Sequence, residues 1–195
     1  MILIKDIEIY DPEYIGIKDI LISGGKIALI EDNIETFSDK IRVINGKGKK
    51  LIPGFIDNHV HITGGGGEGS FKTRAPEIVL SKLVEAGITT VVGLLGTDSM
   101  TRSVENLLAK VKALKEEGVS VYAYTGSYEF PSRTLTDSVK KDIVFVDEII
   151  GAKIALSDHR SFSLTAAELA RLASEVRVAG MLSGKAGILV AHMGD

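Results

Sequence analysis

The feature that most constrains the fold of this chain is the alternation of apolar runs with amphipathic segments that begins after residue 50. Short apolar runs recur every 31 to 36 residues, starting at Ile52, Ile88, Val119, Ile154 and Ile188. Strands that are apolar on both faces and alternate with helices are typical of a parallel sheet. The spacing predicts a (β/α)8 barrel of the TIM type, of which the 195 residues hold about the first five strand units.

Three segments between the apolar runs have helical periodicity, namely residues 76–87, 103–118 and 165–180. The first two end in glycine, at Gly87 and Gly118, where an α-helix commonly terminates. The third begins with Thr165 and has Glu168 three residues later, which is the spacing of a capping box. Each segment is therefore predicted to form a helix with one apolar face.

The first fifty residues have a different pattern, in which apolar and polar residues alternate as they do in half-buried strands. The alternating runs are Ile2 to Ile9, Ile17 to Ile22, Ile27 to Leu29 and Ile41 to Ile44. Gly24 and Gly25 separate the second and third runs and favour a hairpin turn. We predict a small β module over residues 1–50 and a barrel domain over residues 51–195.

The charge and cysteine content exclude several classes of protein. With 23 basic and 26 acidic residues the net charge is -3, so we expect neither a nucleic acid nor a membrane surface as a partner. The absence of cysteine leaves histidine, carboxylate or modified lysine as the ligands of any metal site. The N-terminal sequence alternates apolar and charged residues, unlike a signal peptide, and we expect a cytoplasmic protein.

A pair of histidines follows the first predicted barrel strand, in PGFIDNHVH. Residues i and i+2 of a strand point to the same face, so His59 and His61 are predicted to converge at the carboxyl end of that strand. An isolated pair at this spacing is as often a surface coincidence or a structural pair as a ligand pair. Here it falls at the end of the barrel where such folds place catalysis, which favours metal ligation.

Two more titratable residues belong to predicted strands. Lys153 lies in the apolar run Ala152 to Leu156, where an unpaired ammonium is costly to bury. Either its stem is buried and its head reaches solvent, or burial depresses its pKa and leaves a neutral amine that can react with carbon dioxide to form a carbamate. His192 ends the fifth run and is either a core histidine or a ligand at the same rim.

These segments resemble a known family. PGFIDNHVH resembles the signature of the metal-dependent amidohydrolases, and the N-terminal module resembles the accessory β-sandwich of that superfamily. The segments HVHITGGGGEGS, GLLGTDS, TGSYEFPS and AKIALSDHRS resemble the isoaspartyl (β-aspartyl) dipeptidases within it. The resemblance extends over essentially the whole of residues 1–195, which makes it far more specific than the histidine pair alone.

The resemblance implies a metal centre and a reaction. His59, His61 and His192 would bind two divalent ions, with zinc as the expected metal, and a carbamate on Lys153 would bridge them. A metal-bridging hydroxide would then hydrolyse the isopeptide bond of small β-aspartyl dipeptides. Members of the family also imply a homo-oligomer.

The glycine-rich segment Gly64 to Gly67 and the adjacent Glu68 follow the paired histidines. As a bare string this is a flexible linker with a solvated carboxylate. After two metal ligands, it is better explained as a loop whose backbone, including Gly66, passes close to a small ligand. The resemblance implies that Glu68 contacts the substrate α-ammonium.

Further residues follow the second, third and fourth barrel strands. Tyr128 and Thr97 are either ordinary turn residues or site residues. In the second case, the resemblance implies that Tyr128 donates to the developing oxyanion and that Thr97 helps to bind a substrate carboxylate. The resemblance also implies that Arg160 binds a substrate carboxylate. Its planar guanidinium suits that contact. We interpret His159 as a loop residue near the site.

The family has a further metal-binding histidine and a general-acid aspartate at the end of its last strand, and neither is found before Asp195. Five strand units fit either an open α/β fold or the N-terminal part of a longer barrel. The motifs favour the second, so we expect the barrel to continue beyond Asp195.

Two other functions remain open. One is another amidohydrolase of the dihydroorotase or hydantoinase type, which acts on cyclic amides. Such an enzyme would share His59, His61 and Lys153 but would not need Glu68 or Tyr128. The other is a non-catalytic assembly protein on the same scaffold, which would have no reason to retain a buried lysine beside inward histidines.

Overall fold

The computed structural model describes residues 1–36 and 38–194. The chain forms two compact units, Met1–Gly54 and Phe55–Asp195. The last predicted apolar run ends at Asp195, which lies outside the described residues. Among the helices of the described residues, none has both the length and the apolar character needed to cross a membrane.

The first unit contains a single mixed sheet. Its five strands are β1 Ile2–Tyr10, β2 Tyr14–Ser23, β3 Lys26–Glu31, β4 Arg42–Asn45 and β5 Lys50–Leu51. The order is β3-β2-β1-β4, and β5 also pairs with β1. Strand β1 is antiparallel to β2 and parallel to β4 and β5. Ser23 pairs with Lys26 across the two glycines, which confirms the predicted hairpin.

The buried apolar side chains of this unit form two clusters. One contains Leu3, Leu21, Ile34 and Ile41, and the other contains Ile7, Ile9 and Ile20. The pairing of β1 shifts between Ile4 and Ile7, where Asp6 has a φ of 56°. A bulge changes which face the following side chains occupy, so β1 contributes to both clusters.

The predicted N-terminal β module is present as one sheet in the described part of residues 1–54. Every residue of β3 is exposed, including Ile27 at 59% and Leu29 at 48%. A sandwich needs a second sheet over such a face. The local alternation that predicts strands does not determine how many sheets they form.

The second unit is a parallel sheet with helices between its strands. The strands are β6 Phe55–Val60, β7 Ile88–Gly93, β8 Ser120–Gly126, β9 Ile149–Leu156 and β10 Ile188–Met193. The helices are α1 Leu80–Glu85, α2 Val104–Glu116, α3 Val139–Phe145 and α4 Ala166–Ser183. All neighbouring strands are parallel, in the order β10-β9-β8-β7-β6. This curled sheet corresponds to the first five strands of a (β/α)8 barrel and confirms the predicted fold class.

The helices pack their apolar faces on the sheet, as their periodicity predicts. Leu107, Val111 and Leu114 of α2 join Val176 of α4 in the main core, where none is more than 1% exposed. The amide of Thr165 donates to the Glu168 carboxylate over 2.8 Å, and Thr165 Oγ1 accepts from the amide of Glu168. This reciprocal pair confirms the predicted capping box.

Some boundaries differ from the prediction. Helix α1 covers only part of residues 76–87, and Val79 and Val84 are 53% and 65% exposed. Its apolar stripe therefore buries Leu83 alone. Strand β9 begins at Ile149, ahead of the predicted run, and the seven-residue α3 is too short to show a clear period in the sequence.

Candidate active site

The candidate active site lies at the carboxyl ends of the parallel strands, where barrels of this type place their functional loops. His59 belongs to β6 and His61 follows that strand directly. Lys153 belongs to β9 and His192 to β10. The loops after β7, β8 and β9 carry the remaining predicted residues, namely Thr97, Tyr128 and Arg160.

Lys153 is fully buried, at 0% exposure, between Ala152 and Ile154, which are also fully buried. Its Nζ has no hydrogen-bond partner among the described residues and lies 5.7 Å from the centroid of the Tyr128 ring. Burial lowers the pKa of Lys153 to about 8, because the charged form loses its hydration. The head of Lys153 does not reach solvent, and its neutral amine is more populated than that of an ordinary lysine.

The paired histidines lie close together, with ring centroids 5.9 Å apart. Burial lowers the pKa of both rings, and the neighbouring Lys153 lowers that of His59 further. Neutral imidazole is the form that binds metal ions. His61 Nδ1 is buried and has no hydrogen-bond partner among the residues described. A Cβ at Gly96 would lie 2.9 Å from His61 Cε1, so this glycine gives the ring its space.

Three side chains contact the ring of His192, and one of them is Arg160, whose Nη2 lies 3.3 Å from His192 Nε2. The His192 ring stacks on that of Tyr128, with centroids 4.8 Å apart and planes at 29°. Its Nε2 lies 3.1 Å from Asp158 Oδ2. A carboxylate that binds one imidazole nitrogen selects the tautomer and orients the other nitrogen, as is common for metal-binding histidines.

Asp158 was missed as a site residue by the sequence analysis, although it stands two residues before Arg160 in SDHRS. Its side chain is only 2% exposed. Arg160 donates from Nε to Asp158 Oδ1 over 2.8 Å and from Nη2 to Oδ2 over 2.6 Å. These hydrogen bonds hold the pKa of Asp158 well below its usual range. His159, by contrast, points outward with its side chain 82% exposed.

Arg160 also reaches the loop after β6. Its Nη1 donates to both carboxylate oxygens of Glu68, over 2.9 Å and 3.0 Å. Its guanidinium carbon lies 5.2 Å from the centroid of the Tyr128 ring. The structure thus brings Glu68, Arg160 and Tyr128 together with His192. Burial raises the pKa of Tyr128, so its hydroxyl remains a hydrogen-bond donor at neutral pH.

A small cleft of about 80 Å³ connects these groups to the glycine-rich segment. Its lining includes His61, Gly66, Glu68, Thr97 and Tyr128. A larger groove of about 570 Å³ lies elsewhere, between the loop after β8 and α4, and none of the predicted site residues lines it. The chemistry-bearing side chains therefore indicate the smaller cleft.

Within residues 1–36 and 38–194, no three His, Asp or Glu side chains gather as a metal-binding group. Lys153 Nζ and His61 Nδ1 are nevertheless buried polar atoms without a partner in this part of the chain. Buried polar groups almost always have a partner, so both atoms are compatible with a ligand role in a bound centre.

Comparison with known proteins gives the family. The profile described as "Amidohydrolase family" matches residues 51–183. A crystal structure of β-aspartyl dipeptidase from Fervidobacterium islandicum AW-1 is 47% identical with a TM-score of 0.95, and the match covers 100% of this chain and 53% of that one. The structure of that enzyme in complex with a β-Asp-Leu dipeptide has the same identity and TM-score, over 100% and 51% of the two chains.

A dihydroorotase of Listeria monocytogenes serotype 4a is 33% identical over 159 residues, which are 77% of this chain and 35% of that protein. The chain thus spans about a third of the length of this relative and about half that of the dipeptidase. The family profile itself covers more than half of the chain, including both paired histidines and Lys153. The chain belongs to the amidohydrolase family.

Proposed function

We propose that the protein hydrolyses the isopeptide bond of β-aspartyl dipeptides. The observation that carries the proposal is the ion pair of Arg160 with Glu68, which lines the same cleft as His61. A β-aspartyl peptide has a free α-ammonium and a free α-carboxylate beside its scissile amide. A carboxylate and a guanidinium at this position complement both charges. The 47% identity to a β-aspartyl dipeptidase supports the same substrate class.

The residues that would hold divalent ions, with zinc expected, are His59, His61, His192 and Lys153. The Lys153 amine would add to carbon dioxide and lose a proton, which gives a carbamate with two oxygens for two ions. Bound ions would polarise the scissile carbonyl and supply a water of lowered pKa. The buried, unpartnered Nζ of Lys153 supports this assignment, because a carbamate would provide the partners that the amine lacks.

Other side chains of the chain would bind and orient the substrate. Substrate would exchange the Glu68–Arg160 pair for two new ones, with its ammonium on Glu68 and its carboxylate on Arg160, while Thr97 and the backbone of Gly66 line the cleft. The Tyr128 hydroxyl would donate a hydrogen bond to the oxygen that develops negative charge. Asp158 would keep the His192 ring oriented, because its carboxylate binds Nε2.

A second candidate is hydrolysis of a cyclic amide, which the 33% identity to a dihydroorotase favours. Dihydroorotate and hydantoins have no free ammonium. An enzyme specific for them would share the histidines and Lys153 but would gain nothing from a carboxylate at position 68. Glu68 therefore separates the two candidates.

The test uses the complete gene product with β-Asp-Leu, dihydroorotate and hydantoin as substrates. Loss of a charge-assisted hydrogen bond costs on the order of 1.5 to 3 kcal/mol, so Glu68→Gln should lower kcat/KM for β-Asp-Leu by roughly tenfold or more. Metal content should remain at about two ions per chain. Glu175→Gln is the matched control, because Glu175 only pairs with the exposed Arg171 on α4.

Turnover of dihydroorotate or hydantoin without turnover of β-Asp-Leu would establish the cyclic-amide function instead. An equal effect of Glu68→Gln on both substrate classes would contradict the role of Glu68.

A further inference from the structure

One buried guanidinium joins the two ends of the glycine loop, defined here as residues 63–75. Arg102 precedes α2 and is 5% exposed. Its Nε donates to the carbonyl of Thr63 over 2.9 Å, and its Nη2 donates to the carbonyl of Ala75 over 2.9 Å. A single rigid group therefore fixes both the departure and the return of the loop that carries Glu68.

The same guanidinium is tied to the loop after β7. Its Nη1 donates to Asp98 Oδ2 over 3.1 Å, and the same oxygen accepts from Arg74 Nη1 over 2.8 Å. Asp98 Oδ1 accepts from the amide of Thr101 over 2.8 Å. Burial alone would raise the pKa of Asp98, but the hydrogen bonds from Thr101 outweigh it and hold the pKa at about 2. The carboxylate is therefore ionised and links the glycine loop to the segment of Thr97.

Besides Arg102, the glycine loop is held by backbone hydrogen bonds and by the pair of Glu68 with Arg160. Its two branches pack backbone to backbone, and a Cβ at Gly64, where φ is 83°, would lie 2.2 Å from the carbonyl oxygen of Ala75. The amide of Ala75 donates to the carbonyl of Gly65 over 2.8 Å. Phe71, its largest apolar side chain, is 79% exposed. A loop without buried apolar side chains depends on its polar anchors for a defined position.

We infer that Arg102, together with Asp98, is a positioning residue that holds the glycine loop, and with it Glu68, in place against His61 and Thr97. This inference rests on the proposed function of Glu68 in substrate binding. Arg102 acts through the loop backbone. The planar guanidinium is required because it donates to two carbonyls and a carboxylate at once. A lysine ammonium has a similar charge but presents its donors in a different geometry.

The test compares Arg102→Lys and Arg102→Ala with Arg171→Ala in the complete gene product. Arg171 is the matched control, because its side chain is 82% exposed and pairs only with Glu175. The first readout is amide hydrogen exchange. Both Arg102 variants should accelerate exchange at the hydrogen-bonded amides of Gly64, Gly67 and Ala75 by about tenfold or more, and leave the strands β7 to β9 unchanged.

The second readout is the kinetics with β-Asp-Leu. A displaced Glu68 weakens substrate binding, so KM should rise by roughly tenfold while kcat changes less. Guanidinium ion at millimolar concentration should partly restore KM in Arg102→Ala and have no such effect on Arg102→Lys or Arg171→Ala. A residue that supported folding alone would lower the amount of active enzyme without changing KM, and added guanidinium would not restore it.

If Arg102→Ala does not fold, Arg74→Ala still tests the inference. It removes one donor to Asp98 from a partly exposed position, so a smaller rise in KM, of about threefold, is expected. Unchanged exchange and unchanged KM in Arg102→Lys and Arg74→Ala would overturn the inference. If the wild-type protein fails to cleave β-Asp-Leu, the proposed function is wrong, whereas faster loop exchange in Arg102→Lys would still establish the positioning role.

Discussion

Each unit of the chain contains a charged side chain that is at most 1% exposed, and two of these, Asp19 and Lys153, are held in opposite ways. Asp19, in the first unit, is 1% exposed and accepts hydrogen bonds from the amides of Asp6 and Ile34 over 2.9 Å and 2.8 Å. Its third partner is Lys5, whose Nζ lies 2.5 Å from Asp19 Oδ2. Lys153, in the second unit, is 0% exposed and has no hydrogen-bond partner among the described residues.

The two environments also act differently on the charge. Burial alone would raise the pKa of Asp19, but Lys5 and the two amides outweigh it and lower the pKa. Burial lowers the pKa of Lys153 to about 8, which disfavours its charged form. A buried charge with all of its partners belongs to the architecture of the fold. A buried charge without partners is a mark of a functional site.

The largest expected effect is on catalysis, through Lys153→Ala. If Lys153 holds two ions as proposed, the variant should lose well over the roughly 100-fold typical of residues that merely support metal ligands, because it would remove a ligand common to both ions. Added acetate or propionate should then partly restore turnover of β-Asp-Leu, since the proposed role needs oxygen ligands rather than a cation. Full activity in Lys153→Arg, which keeps the charge and forms no carbamate, would contradict the carbamate.

The next effect is on stability, and the two sites should respond with opposite signs. Asp19→Ala strands two amides and Lys5, so it should lower the free energy of unfolding by about 3 to 5 kcal/mol. In metal-free protein, Lys153→Met replaces an unpartnered charge by an apolar chain of similar length. This variant should raise the free energy of unfolding by about 0 to 4 kcal/mol. Urea denaturation of each unit measures both.

Asp32→Ala is the control for the first variant, because Asp32 pairs with Lys18 while its own side chain is 86% exposed. Such surface pairs contribute about 0 to 1 kcal/mol. A loss in Asp32→Ala as large as that in Asp19→Ala would show that burial does not distinguish the two pairs. A large loss in Lys153→Met would remove the contrast between the two units.

The smallest effect is the pH dependence of the first unit. The folded pKa of Asp19 lies below its ordinary value of 3.8, so its contribution is fully present well above pH 3.8 and is lost as the pH falls through the folded pKa. Unfolding measured between neutral pH and pH 3 should therefore show wild type losing more stability than Asp19→Asn. If the stability of wild type and that of Asp19→Asn changed with pH in the same way, Asp19 would not be the titrating group.

Much of the fold follows from short-range patterns. The capping box of Thr165 and Glu168 and the hairpin at Gly24 and Gly25 each depend on a few adjacent residues, and the structure has both. Helix α1 was predicted too long because exposed Val79 and Val84 satisfy the same periodicity as buried residues. Periodicity reports which residues are apolar, and only packing decides which of them are covered.

The candidate site likewise combines features that are visible in the sequence with contacts that only folding creates. The paired histidines and the apolar surroundings of Lys153 are visible in the sequence, because strand periodicity places them at one sheet edge. The contact of Asp158 with His192 spans 34 residues, and those of Arg102 with Thr63 and Ala75 span 39 and 27. No local pattern specifies such pairs.

The sequence by itself therefore determined the strand and helix alternation, the position of the paired histidines after a strand and the burial of Lys153, since each depends on neighbours along the chain. The tertiary structure decided that Glu68 meets Arg160, 92 residues away, and that Arg102 closes the glycine loop. Hydrogen bonds form between groups that folding brings within about 3 Å, and that proximity is set by the packing of whole strands and helices.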